Sequence, residues 1–327
     1  MSHFAEPSGL LGMTTSERTV LLAGASGVFG KHITRALTDA GYEVLGLGRG
    51  PSNALRADLI DRDQVLRAVE GRRADVAVHA ATALAKPPVR NKDMAGTDLL
   101  RTTGMRNFVE AAQLVGATRI VSESMMFGYG YRDFGPMPIT EDREFGPHES
   151  DPALEAHVAA MRFKEQLTFG TPGIDGVALR FGLFYGQGAM DEMVTMLRRR
   201  MLPAPTSDGR VQPWVNLEDA AAAVVAAIER GRPGAAYNIA DDAAIGFGDQ
   251  IRAIATAFGT PKPFSAPHWL LRPMSYLTAV LHTNLRMSTA RAAADLGWRP
   301  KYPTSAEGLA ALAGSQHRSS ATSRDAV

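Results

Sequence analysis

The stretch TVLLAGASGVFGKHITRAL, Thr19 to Leu37, sets Gly24, Gly27 and Gly30 between an apolar run and an amphipathic one. TVLLAGA reads as a buried strand. GKHITRALTDAG reads as a helix with Ile33, Ala36 and Leu37 on one face and Gly41 just past its end. A strand that passes into a helix through glycines so placed has the form of a dinucleotide-binding turn. The first glycine permits the tight turn, the second lets backbone approach a pyrophosphate, and the third lets the helix pack close to the strand. Ser26, Val28 and Phe29 share this turn, where free N–H groups at the helix start meet phosphates.

Strand and helix signals keep alternating after it. YEVLGLGR, ADVAVHAAT, TRIVSES and GVALRFGLFYG read as strands. Between them, DRDQVLRAVEG is a helix capped by Asp61 with Gln64 three residues on; TDLLRTTGMRNFVEAAQLVG and PALEAHVAAMRFKEQLTF are longer helices. This rhythm predicts an α/β fold, a Rossmann-type doubly wound parallel sheet with right-handed crossovers. After Gly188 the pattern changes to helices with short extended pieces: MDEMVTMLRRRM, a helix after Asn216 as cap, the strand AYNIA, DQIRAIATAFG, a segment interrupted at Pro273, and a helix from Ser288 to Gly297. The expected organisation is a disordered N-terminus over 1–17, a dinucleotide domain over 18–188, a smaller C-terminal substrate lobe over 189–313 that returns strand elements to the sheet, and a disordered tail over 314–327.

Composition excludes several function classes. A net charge of +1 with scattered basic residues argues against nucleic acid, and the run Arg198 to Arg200 reads as a solvated helix end. With no cysteine there is no disulfide, thiolate metal site or cysteine nucleophile, which suits a cytoplasmic protein. The eight histidines include no HExxH spacing, so no metal site is expected. The longest apolar run, Ala220 to Ile228, is too short to span a bilayer, and no secretory leader is seen.

An acidic residue at the end of the second strand would bind a ribose 2′-hydroxyl, and an arginine would suit a 2′-phosphate. The chain reads EVLGLGRGPSN and places Arg49 there, which favours NADP over NAD.

The GxxGxxG spacing, ADL at 57–59, VHAAT at 78–82, LRFGLFYGQG, QPWVNLEDAAAAVV, YNIA and LGWRPKYP occur in an order that resembles the NAD(P)-dependent epimerase/dehydratase family, the extended or atypical branch of the short-chain dehydrogenase/reductase superfamily. The resemblance implies that Gly24, Gly27 and Gly30 hold the pyrophosphate and that Asp58 and Leu59 flank the adenine. It further implies that Ala80, Ala81 and Thr82 line the cofactor, that the segment from Phe181 through Leu183 to Phe184 lies near the nicotinamide, and that the chain forms a homodimer through the helices around 99–115 and 154–169.

Family members polarise a substrate carbonyl with a serine or threonine and protonate it from the tyrosine of YxxxK, an acid poised beside the oxygen that gains charge. Ser124 is the serine candidate and Lys164 matches the lysine; Ser122 remains a second candidate, placed beside the cofactor. The tyrosine position, however, is Ala160. Three readings follow. Another group donates the proton, Tyr129 foremost, with Tyr131 and His157 as others. Or water or substrate supplies it. Or the fold is a non-catalytic dinucleotide sensor.

The expected function is hydride transfer to or from a carbonyl or alcohol of a small, apolar metabolite, with epimerase or dehydratase chemistry as the variant. An arginine that binds nucleotide-sugar diphosphate in relatives is replaced by Gln212, seven residues before Asp219, and Arg210 is out of register. Met190, Met193, Met196, Met201, Trp214, Trp269, Met274 and Tyr276 form a thioether and aromatic set suited to an apolar pocket.

Overall fold

A computed structural model of the chain describes residues 18–84 and 86–324, with side chains through residue 314. In chain order the elements are β1 (Thr19–Ala23), α1 (Val28–Asp39), β2 (Glu43–Gly48), β3 (Leu55–Arg56), α2 (Arg62–Val69), β4 (Val76–His79), α3 (Ala95–Leu99), α4 (Met105–Leu114), β5 (Arg119–Met125), α5 (Pro152–Gly170), β6 (Asp175–Phe181) and β7 (Leu183–Tyr185). There follow α6 (Asp191–Arg198), β8 (Ala204–Pro205), β9 (Trp214–Asn216), α7 (Leu217–Arg230), β10 (Ala235–Ile239), α8 (Phe247–Ala257), β11 (Ser265–Ala266), α9 (Ser275–His282) and α10 (Ser305–Arg324).

The central sheet has seven strands in the order β10-β6-β5-β4-β1-β2-β3, and every pairing is parallel. Both faces are covered, which is why its strands read as near-continuous apolar runs. Alternation splits each strand between two cores. Val20 and Leu22 face Ile33, Leu37, Val224 and Ala227 of α1 and α7; Leu21 faces Val65, Phe108 and Ala112 of α2 and α4. The α/β expectation is thus met, and β10 carries the chain back to the sheet edge after the lobe begins.

Local signals account for most helix ends. Asp61 accepts from the Gln64 amide at 3.0 Å, and Asn216 from the Glu218 amide at 2.9 Å. Asp219, in the first turn of α7, accepts from the Lys301 and Tyr302 amides at 2.9 and 3.1 Å, while its carbonyl takes the Trp298 indole hydrogen at 3.0 Å. The segment LGWRPKYP is thereby tied onto α7.

Two expectations change. The helix expected through TDLLRTTGMRNFVEAAQLVG is broken by a π segment at Leu100–Gly104, between α3 and α4. Such turns insert a residue into the hydrogen-bond ladder and re-aim side chains; here Asp98 stands just before it and the buried Arg101 within it. The tail expected to lack order is helical to Arg324, continuing α10, while 1–17 lie outside the described residues.

Asp241, just beyond β10, is buried, and desolvation, with the Asp219 charge adding to it, pushes its carboxyl up to about 8. The folded chain therefore keeps a proton that the unfolded chain releases near pH 4, so this group makes stability fall as pH rises from about 4 to 8. Asp241→Asn is expected to flatten that decline and to add more than about 1 kcal/mol at pH 8. Thermal melts of both proteins across pH 5 to 8 measure it, and parallel pH curves would contradict it.

Candidate functional site

The turn between β1 and α1 shows why glycine stands at each end of it. Gly24 has φ +89°, and a Cβ there would meet the Ala80 carbonyl oxygen and Ala81 Cα at 2.8 Å. A Cβ at Gly30 would lie 2.0 Å from the Gly24 carbonyl oxygen. Helix and strand are closer than any side chain permits. The Gly27 amide turns back to the Gly24 oxygen at 2.9 Å. Helix α1 starts with no side-chain cap and no acidic residue in its first turn, so its leading amides are left for an anion. Ser26 accepts at 3.2 Å from Asn53, which also bonds the Gly50 carbonyl and closes the loop after β2. From above, His32 meets the Gln187 carbonyl at 3.0 Å, and Gly188 lies against Val28. This cradle fits a diphosphate.

The neighbouring positions surround it unevenly. Arg49 is exposed just past β2 and stands 3.9 Å from Asp58. Leu59 is buried, and its carbonyl accepts from Asn107 at 2.9 Å. Ala80 and Ala81 are buried beyond β4, whereas Thr82 is exposed. Phe181 is fully buried, with Phe29 edge-on at 5.3 Å; it is Phe29 and Phe184, half-buried and 4.8 Å apart, that present rings at the surface of this cluster. Leu183 is half-buried and donates its amide to the Pro213 carbonyl at 2.8 Å.

Strand β5 and helix α5 carry the charged chemistry. The buried face of α5 presents His157, Ala160, Met161, Lys164 and Thr168. Lys164 is 1% exposed; its ammonium donates to Glu123 Oε2 at 2.9 Å and to the His79 carbonyl at 3.4 Å. Burial draws Lys164 below the ordinary lysine range, and Glu123 opposes that shift. Burial pushes Glu123 the other way, but Lys164 and Arg101 together hold it below the ordinary carboxylate range. Both stay charged. His79 is buried, and desolvation, then Lys164, pushes it well below the ordinary imidazole range, so it is neutral.

Ser124 Oγ is buried with no hydrogen-bond partner among the described residues, a hydroxyl left for a ligand. Ser122 instead accepts from Thr168 at 2.9 Å, which engages its hydroxyl with α5.

The geometry speaks against Tyr129 as the acid. Its hydroxyl donates to Asn238 at 2.7 Å and accepts from Arg180 at 2.9 Å, and Arg180 is held in a two-pronged pair by Glu165 at 2.7 and 3.0 Å. Burial foremost pushes the Tyr129 hydroxyl up to about 12, far from a group poised near neutral pH. Sequence reasoning missed Glu123 as the partner of Lys164. The signal was there: a carboxylate inside the buried strand TRIVSES has to be paired.

The methionine and tryptophan set does not form one pocket. Met190, Met193 and Trp214 pack with Leu197 and Ile251 among α6, α8 and β9; Met201, Trp269 and Met274 are exposed. Tyr276 alone joins Phe127 and Tyr131 in the cluster beside α5. Gln212 is buried and donates to the Thr283 carbonyl at 2.7 Å, while Arg210 pairs with Asp208. Neither is placed as a free diphosphate ligand.

With this geometry in hand, comparison with known proteins is decisive. Residues 20–240 match the model of the NAD dependent epimerase/dehydratase family. The chain belongs to that family. A relative from Streptomyces sp, a 3-diazoavenalumate denitrifying reductase, is 33% identical over 306 residues, covering 89% of this chain and 98% of the relative. Among solved structures, the Thermus thermophilus UDP-glucose 4-epimerase complex with NAD superposes at TM-score 0.72 with 24% identity, over 90% of this chain and 98% of that one. The human epimerase family protein with NADPH superposes at 0.73 with 18% identity, over 90% and 99%. These two share the fold. The family member described here is an NAD(P)-dependent enzyme of the oxidoreductase, epimerase or dehydratase kind. No helix among the described residues is long and apolar enough to cross a membrane.

Removing one partner of a buried ion pair strands the other charge. Glu123→Gln is expected to cost about 3–5 kcal/mol in denaturant unfolding, and adding Lys164→Met is expected to return most of it. A single-variant loss below about 1 kcal/mol would show that the pair is not held as described.

Proposed function

We propose that this enzyme is an NADPH-dependent reductase that acts on a small aromatic molecule of the diazo class. The observation that carries this reading is the slot at Ala160, three residues after His157 and four before the locked Lys164. A carbonyl that accepts hydride becomes an alkoxide and needs an acid there. An arenediazonium ion needs none at the carbon: the arenediazonium ion and NADPH give the arene, dinitrogen and NADP⁺, with atoms and charge balanced. The name of the Streptomyces relative, a diazo compound and a reductive denitrification, supports this choice of acceptor.

In this reading the amides of Val28, Phe29 and Gly30, with Gly24, Ser26 and Gly27 beneath, hold the diphosphate. Asp58 and Leu59 flank the adenine. Arg49 leaves its 3.9 Å contact with Asp58 for the 2′-phosphate. Ala80, Ala81 and Thr82 line the dinucleotide, and Phe29 and Phe184 border the nicotinamide in the place expected for Phe181 and Leu183. Lys164, paired with Glu123, meets the ribose, and Ser122 steadies the strand beside it through Thr168. Bound in this cradle, the reduced nicotinamide supplies a hydride. Ser124 orients the acceptor. A cytoplasmic homodimer pairing through α4 and α5 belongs to the same reading; exposed Leu99 and Leu114 beside that face support it.

Two measurements test the reading. Arg49→Ala is expected to weaken NADPH binding about five- to tenfold and to leave NADH binding unchanged; equal effects on both would remove the NADP assignment. In anaerobic assays above the uncatalysed rate, a stable arenediazonium salt is expected to release one dinitrogen for each NADPH oxidised. Turnover of nucleotide sugars in its place would overturn the proposal.

A further inference from the structure

His157 lies on the buried face of α5, one turn before Ala160 and two turns before Lys164, and is 3% exposed. Its Nδ1 stands 2.5 Å from Asp98 Oδ2, and Asp98 also meets Arg101 at 3.6 Å. A carboxylate only accepts, so Asp98 takes the Nδ1 hydrogen and fixes the ring. The other nitrogen, Nε2, is buried and has no hydrogen-bond partner among the described residues. Asp98 Oδ1 and Arg101 Nε beside it are likewise buried without a hydrogen-bond partner among the described residues, so the imidazole nitrogen belongs to a small group of polar atoms left for something to bind.

Its surroundings are aromatic. The His157 ring meets the Tyr276 ring edge-on, with centroids 5.5 Å apart. The Tyr276 and Tyr131 hydroxyls lie 3.4 Å apart, and Tyr131 stacks on Phe127 at 5.0 Å. Met94, Met126 and Met161 complete the wall. The ionisable groups packed toward His157 are Asp98 and Arg101 from the α3 end and its π segment, Tyr276 from α9 and Tyr131 from the loop after β5. Desolvation foremost raises both tyrosines, so neither gives up its proton near neutral pH.

We propose that His157, oriented by Asp98, is the proton-exchanging residue of this enzyme, and that Nε2 serves an oxygen substituent conjugated through the substrate's aromatic ring. The proposal rests on the reductase reading above and specifies its substrate as a hydroxyarene. Its logic is one of displacement. The family acid would sit at position 160, beside the atom that accepts hydride. His157 stands three residues earlier, about 4.5 Å along the helix axis, on the scale of one aromatic ring. An acid moved by that distance suits an acceptor whose charge collects across the ring.

For a diazo acceptor the chemistry follows directly. A hydroxyarenediazonium sheds its O–H proton in neutral water and becomes a neutral diazoquinone, a poorer electrophile. The Nε2–H bond of the imidazolium breaks, an O–H bond forms on the quinone oxygen, and the carbon bearing the diazo group regains diazonium character. Asp98 holds Nδ1 and keeps the ring in place through the transfer. Water reprotonates His157 afterward. The sum is diazoquinone, NADPH and one proton giving the phenol, dinitrogen and NADP⁺.

The test uses 4-nitrophenol, a conjugated phenol whose protonation state is visible in its absorption, titrated into the full chain loaded with NADP⁺. The wild type is expected to bind it with a shift toward the phenolate band as Nε2 takes the proton. His157→Asn keeps a donor for Asp98 and loses Nε2; it is expected to bind the probe about tenfold more weakly without the band shift, with NADP⁺ affinity changed less than about twofold. No binding to the wild type, or binding indifferent to position 157, overturns the proposal and leaves the reductase reading standing. A response that depends on His157, joined to an absence of dinitrogen release, upholds the residue's role and removes the diazo acceptor. Should His157→Asn not fold, histidine ring signals in NMR of the wild type answer the same question: one ring is expected to shift as the probe saturates, and no shift overturns the proposal.

Discussion

The structure depends on how closely the first helix lies against the first strand. With a Cβ at Gly30 only 2.0 Å from the Gly24 carbonyl oxygen, no other residue keeps α1 at that distance. The approach has two consequences. It packs Ile33 and Leu37 into the core shared with α7 and the sheet. It also aims an uncapped, acid-free helix start at the crossing between β1 and β4, where a parallel sheet opens its ligand crevice. The fold and the proposed cofactor cradle thus share one constraint.

A second layer of order comes from buried charge. Lys164 with Glu123, and Arg180 with Glu165, Tyr129 and Asn238, bind β5, β6, β10 and α5 together in a dry interior. Such pairs add little net stability, because desolvation offsets most of the attraction. What they fix is position. Neither Lys164 nor Arg180 can move without leaving a carboxylate unpaired, so the face of α5 that carries His157, Ala160 and Lys164 is held in one register over the crevice. The alanine at 160 therefore sits in a rigid setting, and the missing tyrosine has not been accompanied by a loosened site.

The sequence disclosed what depends on neighbours along the chain. Alternating apolar runs, the caps Asp61 and Asn216, and glycines with positive φ such as Gly24 and Gly41 are local devices, and the structure uses them as read. The family resemblance then ordered them into one fold. What stayed hidden depends on contacts across long separations. Asp98 and His157 are 59 residues apart and meet where the end of α3, just before the π segment, lies against α5. Tyr129 resembled a free donor until Asn238 and Arg180 claimed its hydroxyl. The methionines after Gly188 could have lined a pocket or a core, and periodicity does not tell these apart; packing among α6, α8 and β9 decides for Met190 and Met193. Local signals locate elements, while the partner of a buried polar group is settled by topology.

The central claim is that the leading amides of α1 grip a dinucleotide diphosphate. Hydrogen exchange followed by mass spectrometry, with and without NADPH, reads those amides directly. The account predicts slowed exchange concentrated in the peptide spanning Gly24 to Lys31, with lesser protection around Arg49 and Ala80. Unchanged exchange across that turn at saturating NADPH would contradict it.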